Sequence, residues 1–132
     1  MPEKHGQARE YARIALACIR LFNGLAGLLA PQFLLRGLQL DPQQNPGAFY
    51  AFRLFGVRTV ILGAELFSGD AQVRDQSLRV GVMIHASDTL AALLAGASGQ
   101  MPRPAATRVA LLSALNTGLA LYAQHGVDAS EI

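Results

Sequence analysis

The stretch VGVMIHASDTLAALLAGAS, residues 80–98, constrains this chain more than any other. It is long and apolar enough to cross a bilayer, yet it holds His85 and Asp88 near its middle. A carboxylate does not leave water for hydrocarbon without a partner or a proton, so the pair demands polar neighbours from elsewhere in the chain. Three further apolar stretches supply them. Arg20 and Asn23 lie in the first, Arg53 and Arg58 in the second, and Asn116 in the last. The pattern is that of a small membrane helix bundle with a buried polar cluster.

Composition points the same way. The 132 residues are enough for one domain, and the charged share of 15% lies well below the roughly 25% of an ordinary soluble domain. Ala, Leu and Gly dominate, as in membrane helices that meet through small residues. Runs typical of strands are absent, so the expected class is all-α. Eleven basic residues, ten of them Arg, are spread without a cluster or an aromatic-basic stripe, which argues against a nucleic-acid surface. The single cysteine, Cys18, forms neither an internal disulfide nor a thiolate cage and is expected as a small buried residue. The polar start MPEKHGQAREYAR, followed by apolar sequence, faintly imitates a signal peptide. Arg20 interrupts the apolar part, Pro31 ends it and no small-x-small cleavage pattern follows, so a retained first helix is expected.

The expected helices span about Tyr11–Ala30, Ala48–Phe67, Leu78–Ser98 and Ala105–Gln124, each near the ~20 residues that match a ~30 Å hydrocarbon core. Pro31 stops the first. QFLLRGLQL then sets Phe33, Leu34 and Leu38 around Arg36, a short amphipathic piece suited to the membrane interface. Asp41-Pro42 and Asn45-Pro46-Gly47 are turn signals, AQVRDQS reads as a polar loop, and Gly99 to Pro104 make a tight connection. The tail GVDASEI is expected to fray. A water-soluble bundle of 20-residue helices is the competing fold; the missing charged stripe on the third and fourth helices argues against it.

Four antiparallel helices with short connections put both termini on one side. Counted inward from there, Arg20, Arg58, His85, Asp88 and Asn116 all lie about seven to ten residues deep, a layer of about 5 Å. His85 and Asp88, spaced i, i+3, share a face with Ala92, Ala95 and Gly99. Arg20 lines up with Asn23 and Gly27, Arg58 with Glu65, and Ser113 with Asn116 and Ala120. Inside a bilayer such groups face one another, because lipid offers them no hydrogen bond. Arg53 and Arg108 lie nearer the opposite face, where they snorkel. Glu65 lies toward the termini, within expected reach of Arg13, Arg74 or Arg79. His85-x-x-Asp88 is only a fragment of a metal site, since His5 and His125 lie in the tails, and no metal or other cofactor is expected.

Arg53-Leu-Phe-Gly56-Val-Arg58 in the second helix, with His85-Ala-Ser-Asp88 in the third and a Pro-containing last connection, resembles a group of small four-helix membrane proteins of unknown function. That group is in turn similar to the DoxX-type bundle. The resemblance covers residues 11–124 and implies a fold and a location, not a reaction. Where that pattern has an acidic residue after the second Arg, this chain has Thr59.

Three functions are compatible with the residues. In the first, an embedded pocket binds a small lipophilic molecule, with or without transforming it. Asp88 and His85 serve as acid and base, Arg20 or Arg58 holds developing negative charge, and Asn23, Arg53 and Asn116 are further candidate ligand-binding groups. Gly24, Gly27, Gly56 and Gly63 would leave room for the ligand. In the second, the polar layer serves a non-catalytic subunit, and the glycine-rich faces pack on a membrane-protein partner or a second copy. In the third, a dimer is a proton- or ion-coupled carrier. Arg58 and Asp88 alone also suit a structural ion pair that sets helix register, and Asn116 suits interhelical glue. Lys4, Arg9, Arg13, Arg74 and Arg79 on the terminus side, against Arg36, Arg103 and Arg108, predict cytoplasmic termini at the cell membrane.

Overall fold

The computed structural model describes residues 2–124; Met1 and 125–132, which include His125 and the tail expected to fray, lie outside the described residues. Every regular element among them is a helix: α1 Pro2–Leu29, α2 Pro31–Gly37, α3 Pro46–Glu65, α4 Ala71–Ala97 and α5 Arg103–Gln124. Proline begins both α2 and α3, where its missing N–H has no intrahelical partner to lose. Asp70 caps α4, its carboxylate accepting from the Gln72 N–H at 2.8 Å. Gly99, at φ +75°, follows the last turn of α4 in the left-handed conformation that an L-residue adopts only at a cost.

Two helices are longer than their apolar stretches. α1 runs back through the polar residues to Pro2, and α4 takes in AQVRDQS, expected as a loop. Both extensions lie at the terminus side and end in water-compatible residues, so α1 and α4 stand taller than α3. There Arg13 donates to the Leu66 carbonyl and pairs with Glu10, while Arg74 donates to the Ser68 carbonyl at 2.6 Å. These guanidiniums satisfy carbonyls left open where α3 ends. Glu65, expected to meet Arg13, Arg74 or Arg79, forms no salt bridge among the described residues and instead acts electrostatically on Arg20.

α1, α3 and α4 are long and apolar enough to cross a membrane; α5, with 22 residues, is long enough but diluted by Thr, Ser, Asn and Arg. Their large apolar side chains point outward. Phe22, Leu29, Leu54, Ile61, Met83, Leu93, Leu111 and Leu115 are all exposed, whereas the buried positions of α5 are Ala105, Ala106, Ala110, Ser113, Asn116 and Ala120. The largest fully buried side chain is Arg20. A soluble bundle does the reverse, and a monomer in water does not carry so much exposed leucine and phenylalanine. Hydroxyls on these helices are also closed off: Ser87, Thr89, Thr107 and Thr117 each donate to the carbonyl four residues earlier. These are the features of a small helical membrane protein.

Packing is uneven. α1 lies closely on α3 and α4 on α5, α1 also touches α5, and α3 meets α4 at few points although only a short turn joins them. A small apolar cluster of Leu16, Ala17, Leu66, Leu78 and Ala120 closes the terminus end. Cys18, two positions from Arg20 and so on the opposite face of α1, is exposed rather than buried as expected.

Candidate functional site

A line of polar side chains crosses the bundle where α3 and α4 fail to pack. It starts at the backbone. Ser77 Oγ on α4 donates to the Leu62 carbonyl of α3 at 3.0 Å, and Arg20 Nη1 on α1 donates to the same carbonyl at 3.2 Å and to Ser77 Oγ at 3.4 Å. Arg20 Nε donates to His85 Nε2 at 3.2 Å. Because that nitrogen accepts, the ring proton of His85 sits on Nδ1. Nδ1 in turn faces Asp88 Oδ2 at 4.0 Å, and the same oxygen accepts from Arg58 Nη2 at 3.0 Å. The Arg58 guanidinium also lies over the Phe55 ring, 5.6 Å from its centre.

Exposure rises steadily along this line. Arg20 is fully buried and His85 3% exposed, whereas the side chains of Asp88 and Arg58 are 29% and 41% exposed. The inner end is sealed between three helices, and the outer end opens at the seam between α3 and α4.

Gly81 makes room for the inner end. A Cβ there would collide with Arg20 Nη2, so only glycine lets the guanidinium lie flat against α4 and reach His85. Ser77 and Gly81 are members of the site that the sequence reading did not single out.

The other candidates stand apart. Arg53 is exposed, about 140° around α3 from Arg58 because five residues separate them. Asn23 is half-buried and makes no side-chain hydrogen bond among the described residues. Asn116 is buried on α5, and its Oδ1 has no hydrogen-bond partner there. The four glycines expected to leave room for a ligand are instead filled. A Cβ on Gly56 would lie 2.5 Å from the Leu28 nitrogen, and one on Gly24 would lie 2.7 Å from the Val60 nitrogen, so they bring α1 and α3 into backbone contact. Among the described residues no three His, Cys, Asp or Glu side chains gather as metal ligands.

Two donors in the line remain unfilled, Arg20 Nη2 and Arg58 Nε, both buried without a partner among the described residues. Comparison with family models, curated proteins and solved structures returns no match. The site's chemistry therefore rests on its own geometry.

Proposed function

We propose that the chain is a four-crossing membrane protein, with α5 as the fourth span, and that it binds a small lipophilic molecule at the seam between α3 and α4. The observation that carries this reading is the gradient of exposure along one connected polar line. A purely structural ion pair gains from being sealed and fully paired. Here the Arg58–Asp88 end is open toward the side where lipid would lie, and buried donors are left over. A polar head entering between the two helices would meet Arg58 and Asp88 first. Behind them His85, held in one tautomer by Arg20, offers Asp88 a neighbour for proton exchange. Arg58 or Arg20 stabilises negative charge on the bound head, and Asp88 with His85 supplies acid and base if the ligand is transformed.

A structural lock is the second reading, favoured by one observation: Arg58–Asp88 and Ser77–Leu62 bridge two helices that otherwise scarcely touch. Native mass spectrometry of protein released from a mild neutral detergent separates the two. A co-purifying small lipophilic mass supports the binding site, and a bare protein mass at every activation energy supports the lock. Both termini on the cytoplasmic face is the orientation proposed from the basic residues. Reporter fusions at the C-terminus and beside Asp70 are expected to give the same signal, and opposite signals contradict four crossings.

A further inference from the structure

The unfilled donors of the site point to the class of molecule it holds. Along the polar line Arg58 bonds the carboxylate of Asp88, while Arg20 bonds His85 and reaches no carboxylate directly. His85 accepts a hydrogen bond from Arg20 and adds no negative charge, and Glu65 makes no salt bridge to either arginine. Arg58 is paired with Asp88, and Glu65 acts on the charge of Arg20 without a direct bond, so what the site lacks is acceptors. The buried positions left unfilled in the line, Arg20 Nη2 and Arg58 Nε, are both donors.

Position makes the free donors of Arg58 costly. Arg58 lies twelve residues into the 20-residue α3, about 18 Å along a helix of about 30 Å, at a depth where lipid acyl chains are the surroundings. Its side chain is 41% exposed there, and Phe55 covers only one face of the guanidinium. Hydrocarbon satisfies none of its free N–H groups.

We infer that the molecule held at the α3/α4 seam is an amphiphile with an anionic, acceptor-rich head, a carboxylate or a phosphate. The inference rests on the binding site proposed above and names its ligand class. The head lies against the open side of Arg58, where planar N–H groups match carboxylate and phosphate oxygens. The apolar tail follows the exposed Leu54 and Ile61, which flank Arg58 on the same face of α3. A cationic head offers the guanidinium no acceptor, and a neutral alcohol offers it a single weaker one.

The test uses the full-length protein in dodecyl maltoside and four probes that share an oleyl chain: oleate, dioleoyl phosphatidate, oleyl alcohol and oleylamine. Oleate or phosphatidate is expected to bind at least about tenfold more tightly than oleyl alcohol, the scale of one charge-assisted hydrogen bond, and oleylamine most weakly. Preference for oleate identifies a free fatty-acid type of ligand; preference for phosphatidate identifies a bilayer lipid headgroup. Arg58→Gln is expected to erase the preference, while Arg58→Lys retains part of it and guards against misfolding of the first variant. Arg103→Gln, at the start of α5, retains all of it. Equal affinity for oleate and oleyl alcohol overturns the anionic class while leaving a lipophilic site standing. Failure of all four probes to bind overturns the site together with its ligand.

Discussion

The α1–α3 and α3–α4 contacts share a helix and solve the same problem in opposite ways. Between α1 and α3, Gly24, Gly27 and Gly56 remove the side chains altogether, and the backbones touch. Nothing there needs a hydrogen-bond partner, because every peptide group is already satisfied within its own helix. Between α3 and α4 the backbones stay apart, and Ser77, Arg20, His85, Asp88 and Arg58 span the gap. That contact depends on charges that lipid cannot satisfy. The first builds the scaffold; the second is the seam at which we propose a ligand site.

The comparison can be broken from either side. Gly56→Leu drives a side chain into the backbone of α1, and we expect the largest loss, about 3 kcal/mol or more in detergent unfolding, because backbone cannot move aside as a side chain can. Gly81→Ala is milder. Its Cβ displaces the Arg20 guanidinium, whose bond to His85 is lost at about 1.5–3 kcal/mol. Nitrogen NMR of His85 should then show Nε2 released from its fixed acceptor role. An unchanged ring signal would mean that Arg20 does not hold the tautomer. Arg53→Gln touches neither contact. It should change stability by no more than about 0.5 kcal/mol and leave any co-purifying ligand bound; ligand loss would move the site to another face of α3.

Much of the polar line is legible in the sequence because charge inside apolar sequence is conspicuous. Equal spacing from the helix ends already brings Arg20, Arg58, His85 and Asp88 to one depth. Other features depend on neighbours that periodicity does not specify. Glycine at 24 and 56 is compatible with an open pocket or with backbone contact, and only the distance to the facing helix decides. Gly81 gains its role from a side chain 61 positions earlier. Ser77 is hidden for another reason: it lies in AQVRDQS, whose polarity resembles a loop although Asp70 is a good helix cap. Two polar turns at the water side of a span carry no apolar period to read. Cys18 was open to correct reading, since positions 12, 16, 17 and 20 mark the buried face of α1 and 18 lies across from it.

The most direct measurement is a double-mutant cycle at Arg58 and Asp88 with two readouts, unfolding in detergent and the native mass spectrum. Arg58→Leu and Asp88→Asn alone each leave a lone polar group near mid-span and should each cost about 2.5–3.5 kcal/mol. Combined, they leave no lone charge and should recover most of that loss. If the seam is a ligand site, the recovered double mutant is stable but carries no bound lipophilic mass. A double mutant that is equally stable and still retains the ligand contradicts the account, because the pair would then serve only to join α3 to α4.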